Sequence, residues 1–277
     1  MSNKEKEQDL PILEMPKATT LSWQTPQGAA NRIIDMPLAP LDEMRSLRLR
    51  LNQSNILFGR DMFNQNDLKL LQDDPAYKKL PDYKFSFYSM EPSAIDFLKA
   101  MITKFRPSSI LELGSGLSTA VLSQHLNDLH AGTDVKPHYV SVDQSREYLD
   151  ETEIMLKKAG VAAFVNLVQM DIRSFRVGEN SVHPCYDFDE GKLHAAFDGV
   201  KPDFVIIDGP VGKNHPFARL LTMPLARAYA SKNALFFLDD ALRDSELEIM
   251  QSWQAFNDFE VCGVKCVSKG VMVGRSI

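Results

Sequence analysis

Ser109-Ile-Leu-Glu-Leu-Gly-Ser-Gly-Leu-Ser-Thr-Ala-Val-Leu-Ser123 is the stretch from which the rest of the chain can be read. A short apolar run, Ile110 to Leu113, breaks at Gly114 and Gly116 and resumes with helical spacing at Leu117, Val121 and Leu122. That pattern describes a buried strand, a tight turn and a helix. The glycines remove Cβ atoms where the chain reverses, so a ligand can approach the backbone, and the helix that follows presents unpaired N–H groups there. Dinucleotide-binding proteins use a related loop whose third glycine helps to seat a pyrophosphate. Here Thr119 stands at the third position, and Glu112 lies two residues before the first glycine. A carboxylate beside the loop disfavours a diphosphate and suits a cation. A glycine turn in another kind of α/β protein is the alternative reading.

Downstream, strands keep ending in acids. His138-Tyr-Val-Ser-Val-Asp143 is a short strand, followed by a helix from Arg146 to Ala159 that Gly160 closes, with Tyr148, Thr152, Met155 and Ala159 on one side. Val165-Asn-Leu-Val-Gln-Met-Asp171 is the next strand, and Asp203-Phe-Val-Ile-Ile-Asp-Gly-Pro210 is the most apolar one. A helix from Phe217 to Ala230 contains Pro224, and Ala234-Leu-Phe-Phe-Leu-Asp-Asp240 is a fifth strand ending in paired acids. Strand, helix, strand, helix implies a parallel sheet with right-handed crossovers. The predicted fold is therefore α/β, a Rossmann-like doubly wound sheet. Ligands in such sheets collect at the carboxyl ends of the strands, where Asp143, Asp208, Asp239 and Asp240 fall. Asp143 and Asp171 have a plainer alternative as cap or turn residues. Converging acids repel one another unless a cation or a proton sits between them, so either a divalent metal binds or one acid points away.

Before the glycine loop, Pro92 opens a helix with Ala94, Leu98, Met101, Ile102 and Phe105 on one face, and Pro107 ends it. Residues 1–20 are polar and read as a flexible tail, and residues 21–88 as an N-terminal cap or substrate segment. Leu41 to Leu51 suits a helix or a strand equally well, and Asp67 to Gln72 suits a short helix. The aromatics Trp23, Phe58, Phe63, Tyr77, Tyr83, Phe85, Phe87 and Tyr88 either line a substrate pocket or pack on the main domain. From Arg176 to Val200 periodicity is lost, apart from a short helix at Lys192 to Phe197. His183-Pro-Cys185 within that stretch cannot supply a tetrahedral metal set. The chain finishes with a helix from Ser245 to Phe256 and two β-rich runs, Phe259 to Val267 and Gly270 to Gly274.

With these residues in place, the chain resembles the class I S-adenosylmethionine-dependent methyltransferases. The resemblance runs from about residue 89 to 277 and implies a cofactor-binding domain there, with a C-terminal antiparallel hairpin on the sheet. It implies that Glu112, Gly114, Ser115, Gly116, Ser118 and Thr119 surround the methionyl end of S-adenosylmethionine, with Met90 and Glu91 beside it. It further implies that Asp143 and Gln144 reach the ribose, that Met170 packs on the adenine and Asp171 accepts from its amine, and that Asp208 borders the reacting end. An acid after the fourth strand and a pair after the fifth look like the magnesium site of catechol and caffeoyl-CoA O-methyltransferases. Asp208, Asp239 and Asp240 would then hold Mg2+ or another divalent cation. Those enzymes carry Asp-Asn where this chain has Asp239-Asp240, and the lysine three residues after their fourth-strand acid is here Val211. Lys213 or His215 would replace it as base. The Asp-Gly-Pro and Leu-Asp-Asp-x-x-Arg patterns also resemble sugar and polysaccharide O-methyltransferases.

The expected activity is thus methyl transfer to a hydroxyl of a small molecule or saccharide, with Asp208, Lys213 and His215 as catalytic candidates. A nicotinamide-dependent oxidoreductase is one alternative, against which Glu112 and Thr119 argue. A non-catalytic member of the fold that binds a protein partner is another. The bulk properties fit an enzyme of this kind. With 31 basic and 37 acidic residues mixed along 277 positions, the net charge of −6 offers no nucleic-acid surface. No Asn-Pro-Pro-aromatic motif of nucleic-acid methyltransferases occurs. Three cysteines make neither a disulfide framework nor a zinc site. No apolar run has the length of a signal peptide core or a membrane span, so a soluble cytoplasmic protein without membrane partners is expected, for which a homodimer is an allowed assembly.

Overall fold

The computed structural model describes residues 12–13, 68–86, 88–177, 181–212, 215–267 and 269–277. Trp23, Phe58, Phe63, Phe87, the stretch Leu41 to Leu51 and the candidate base Lys213 lie outside them. In chain order the elements are β1 (Ile12–Leu13), α1 (Leu68–Leu71), a 3-10 turn (Tyr77–Lys79), α2 (Pro92–Phe105), β2 (Ser109–Leu113), α3 (Leu117–His130), β3 (His138–Asp143), α4 (Arg146–Ala159) and β4 (Val165–Gln169). After these come β5 (Ile172–Val177), β6 (Ser181–Tyr186), α5 (Glu190–Ala196), β7 (Phe204–Ile207), α6 (Thr222–Tyr229), β8 (Leu235–Leu238), α7 (Asp244–Trp253), β9 (Phe259–Lys265) and β10 (Val271–Ser276).

Seven strands form the main sheet in the order β4-β3-β2-β7-β8-β10-β9. The five strands β4, β3, β2, β7 and β8 run parallel, and β10 is antiparallel to both β8 and β9. The Rossmann-like sheet with its terminal hairpin is therefore present. The chain builds outward from β2 to β4 and then returns to lay β7 on the other side of β2. That reversal places a crevice at the carboxyl ends of β2 and β7.

Alternation along the strands sorts side chains to two faces. Leu111, Leu113, Val205, Ile207, Phe236 and Leu238 meet Met223, Met250 and Trp253 of α6 and α7. Ile110, Phe204, Ile206 and Phe237 face the other layer, against Ile95, Leu98, Met101 and Ile102 of α2 and Val121 and Leu122 of α3. Full burial of side chains of this size stabilises by about 1.5–3 kcal/mol each, so two such layers fix which way every strand faces.

Helix α2 begins with Pro92 in its first turn and closes at Arg106, whose left-handed backbone directs its N–H to the Ile102 carbonyl. Helix α4 is capped by Ser145, which accepts from the Tyr148 N–H, and ends at Gly160 with φ +86°. Its buried face is Leu149, Thr152, Leu156 and Ala159. This is one position round from the expected stripe, and it leaves Tyr148 exposed near the crevice.

Two expectations of secondary structure are corrected, for the stretch from Arg176 and for the start of α6. The stretch from Arg176 onward is not a long irregular loop, because β5 and β6 pair as an antiparallel hairpin with Arg176 opposite Val182. Within the segment expected as a tail, Ile12 and Leu13 add to that hairpin in parallel, beside Arg176 and Val177. Helix α6 begins at Thr222 rather than Phe217, so Pro224 lies in the first turn, where its missing N–H costs nothing. The described part of the expected cap segment packs on helices. Lys99 meets Asp74 at 2.5 Å, Lys79 donates to the Ala159 carbonyl at 2.5 Å, and Tyr77, Tyr83 and Phe85 lie against the α2–α3 layer. Among the described aromatics of that segment, Tyr88 reaches the crevice.

Candidate active site

A cavity of about 290 Å3 opens at the carboxyl edge of the sheet, at the lower end of the range for ligand clefts, roughly 300–1,000 Å3. Gly114 and Ser115 follow β2 into its wall, Asp143 and Gln144 follow β3, Asp208 and Gly209 follow β7, and Asp239 and Asp240 follow β8. At the reversal point the two loops touch. Asp208 and Gly209 both donate backbone N–H groups to the Leu113 carbonyl, at 2.8 and 2.6 Å. Gly114 has φ +103°, and a Cβ there would lie 3.1 Å from the Gly209 nitrogen, so a larger residue would be both strained and crowded.

Glu112 holds the glycine loop from beneath. It shares a strand face with Ile110, toward α3, and is fully buried. Ser118 Oγ donates to its Oε1 at 2.6 Å, and Thr119 Oγ1 and Tyr139 Oη donate to Oε2 at 2.6 and 3.1 Å. Thr119 Oγ1 in turn accepts from the Gly116 N–H at 3.1 Å. Burial outweighs these three donors and lifts the Glu112 carboxyl to about 7.

Asp143 is buried, with one carboxylate oxygen at 3.1 Å from the Ser115 N–H and the other at 2.8 Å from the Ser145 N–H. Burial raises its pKa in spite of those donors. The carboxylate keeps acceptor capacity beyond these bonds, since two oxygens offer about four lone-pair directions. Beside it, Gln144 Oε1 is buried with no hydrogen-bond partner among the described residues.

The other end of the cavity is an ion cluster. Arg219, 4% exposed, lies on the turn before α6. Its Nη1 donates to the Asp239 carbonyl at 3.0 Å and its Nη2 to the Asp208 carbonyl, which ties together the ends of β7 and β8. Burial works against the charge of Arg219, but Asp208, Asp240, Glu246 and Asp239 outweigh it and raise its pKa. Burial lifts Asp208 to about 6 even with Arg219 beside it. Asp239 is pushed well above the usual carboxylate range by burial and by its neighbours Asp240 and Asp208. Asp240 goes the other way: burial acts to raise it, but Arg219, Lys269 and Arg243 together hold it below the usual value. Its backbone has φ +58°, a conformation uncommon for an aspartate and frequent where side chains are aimed at a site.

Among protein-family models none matches the chain, and no curated protein matches it either. Solved structures do. The SAH-bound methyltransferase PaMTH1 of Podospora anserina aligns over 87% of this chain and 99% of its own, with a TM-score of 0.52 at 14% identity. An O-methyltransferase of Bacillus cereus in complex with SAH aligns over 86% and 100%, with a TM-score of 0.48 at 14% identity. The chain has the class I methyltransferase fold.

Within the methyltransferase fold, the structure brings Gly114, Ser115, Asp143, Gln144, Asp208, Asp239 and Asp240 to one cavity. Other expected contacts are placed elsewhere. Glu112 is behind the loop, because strand alternation turns it toward α3, and Ser118 and Thr119 are buried serving it. Gly116 caps α3. Met90 is core, and Glu91 stands 3.9 Å from Lys269, while Tyr88 and Ser89 supply the wall. Met170 packs into the core below the β3 edge, and Asp171 is exposed where the chain turns into β5. His215 is exposed on the turn after Gly212 and is not a wall residue; burial, and then the nearby His215, lower the pKa of His183. Reading by sequence missed Tyr186, Arg219 and Lys269. Arg243 was visible only as part of Leu-Asp-Asp-x-x-Arg.

The fit of the two expected groups differs. An unpartnered acceptor at Gln144, a partly free carboxylate at Asp143 and a glycine cradle suit the hydroxyl-rich nucleoside of S-adenosylmethionine. Asp208, Asp239 and Asp240 have oxygen ligands within 4.8 Å of one another, the hard donors that Mg2+ takes. Arg219 already stands 3.3 Å from Asp208 and 3.5 Å from Asp240, so a dication there would face a buried like charge and a repulsion of several kcal/mol. The triad as built does not fit a divalent metal.

Proposed function

We propose that this chain is an S-adenosylmethionine-dependent methyltransferase that acts on a hydroxyl oxygen of a small molecule or a saccharide. The observation that carries the reading is the Asp143 carboxylate at the end of β3, in the cavity wall beside Gly114 and Ser115 of the loop after β2, next to which the strand order reverses. The likeness to SAH-bound enzymes supports it through the fold.

When bound, S-adenosylmethionine supplies a methyl group already activated on a sulfonium, which leaves alignment, exclusion of water and removal of one proton to the protein. Asp143 and Gln144 would bind the ribose hydroxyls. Gly114 and Ser115 would let the amino-acid end approach the backbone. Asp208, which lines the wall with Gly114, would take the acceptor's proton. Tyr186 Oη and Asp239 Oδ1 are buried without hydrogen-bond partners among the described residues, and they offer a donor and an acceptor to the incoming hydroxyl.

Calorimetry with S-adenosylhomocysteine, with NAD as control, tests the reading. S-adenosylhomocysteine should bind and NAD should not. Replacing Asp143 by Ala removes a charged acceptor worth about 1.5–3 kcal/mol, so affinity should fall roughly 10- to 150-fold. Binding of NAD in place of S-adenosylhomocysteine would overturn the assignment.

A further inference from the structure

Two acids of the triad, Asp208 and Asp240, are already answered by side chains of the protein. Arg219 Nη2 lies 3.3 Å from Asp208 Oδ1, and Nη1 lies 3.5 Å from Asp240 Oδ2. Arg243 Nη2 lies 2.8 Å from the same Asp240 oxygen, and Lys269 Nζ lies 3.2 Å from the other one. Both oxygens of Asp240 thus face a cation. At this end of the cavity, away from Asp143, the acids Asp208, Asp239 and Asp240 stand against the bases Arg219, Arg243 and Lys269.

Arg219 is also the least movable of the three. It is buried, and its two terminal nitrogens donate to the backbone carbonyls of Asp239 and Asp208. Those bonds would have to break before the guanidinium left the triad, and a buried guanidinium without partners is costly. A divalent ion entering among these acids would therefore compete with a charge that the backbone holds in place. The arrangement of acids that elsewhere suits a metal is here closed by a side chain.

Taking the methyl-transfer reading as given, we propose that Arg219 is a built-in substitute for a divalent cation. It is a positioning residue whose guanidinium holds Asp208 and Asp240 in place, so that the acceptor site is complete without metal. The acceptor hydroxyl then meets Asp239 Oδ1 and Tyr186 Oη directly, not an ion.

The probe is Mn2+ alone, followed by electron paramagnetic resonance, with the full-length chain. The native protein should leave the free-Mn2+ signal unchanged up to millimolar ion. Arg219→Met should gain Mn2+ binding, which a second change, Asp240→Asn, should remove. Arg219→Lys keeps the charge and should stay blind to Mn2+, so a gain by Met that Lys reverses reports charge and not general loosening. Micromolar Mn2+ binding by the native protein, abolished by Asp240→Asn, overturns the proposal. So does a folded Arg219→Met protein that ignores Mn2+. Should Arg219→Met fail to fold, the native titration and Arg219→Lys decide alone. Calorimetry with S-adenosylhomocysteine reads the methyltransferase assignment separately, since its failure leaves every Mn2+ outcome unaltered.

Discussion

Both carboxylate oxygens of Glu112 are occupied from within the fold, by Ser118, Thr119 and Tyr139, and no part of the side chain reaches solvent. The consequence is a pH dependence with a definite sign. Burial lifts the group from an ordinary value of 4.5 to about 7, so the folded chain binds this proton more tightly than the unfolded one. Its contribution to stability is fully present below 4.5 and is lost as pH rises toward and through about 7. A shift of this size corresponds to roughly 3 kcal/mol in all, of which about 2–3 kcal/mol falls between pH 5 and pH 8. Glu112→Gln keeps the volume and removes the titration. Urea unfolding across that range should therefore show the native protein losing about 2–3 kcal/mol more than the variant. Parallel stability curves would mean that Glu112 is not buried as a titrating group.

At the scale of elements, what could be read in the sequence follows from how local its cause is. The glycine turn after β2 was legible because an apolar run, two glycines and a helical period lie within fifteen residues, and β7 and β8 because each is fully buried. The β5–β6 hairpin was not, since only Phe175, Cys185 and Tyr186 of its residues are buried and no apolar alternation results. The acids of the site were legible as strand ends. Arg219 was not, because its role depends on β7 and β8 meeting in space; its one sequence signal is an arginine eleven residues after Asp208. Lys269 was hidden for the same reason, since the turn between β9 and β10 delivers it. That turn is clamped: the Gly270 carbonyl accepts from the Ala241 N–H and the Lys269 carbonyl from the Leu242 N–H, each at 2.9 Å. Gly270 has φ +90°, and a Cβ there would lie 2.5 Å from Leu242 Cγ and 3.0 Å from its backbone nitrogen. Gly270→Ala should thus combine backbone strain with overpacking and cost about 2–4 kcal/mol, read as a lower denaturation midpoint. An unchanged midpoint would show that the turn is free to move away from Leu242.

Across the whole molecule, the strand order divides the site between two halves of one sheet. Gly114, Ser115, Asp143 and Gln144 come from the β4-β3-β2 side, and Asp208, Gly209, Asp239 and Asp240 from the β7-β8 side. The halves meet through the β2–β7 ladder and the two N–H bonds to the Leu113 carbonyl. A ligand that lies along the crevice must therefore touch both. Binding to the folded chain alone adds about 2.7 kcal/mol at a ligand concentration one hundred times Kd. For a chain of this size each kcal/mol moves the melting temperature by roughly 2–4 °C. S-adenosylhomocysteine at that concentration should raise the melting temperature by roughly 5–10 °C. Amide exchange should slow together in residues 114–116, 143–145 and 208–212, because one molecule closes against all three loops. Slowing confined to one side of the β2–β7 seam would show that the ligand does not bridge the halves, and an equal shift with NAD would show that the crevice does not select a sulfonium nucleoside.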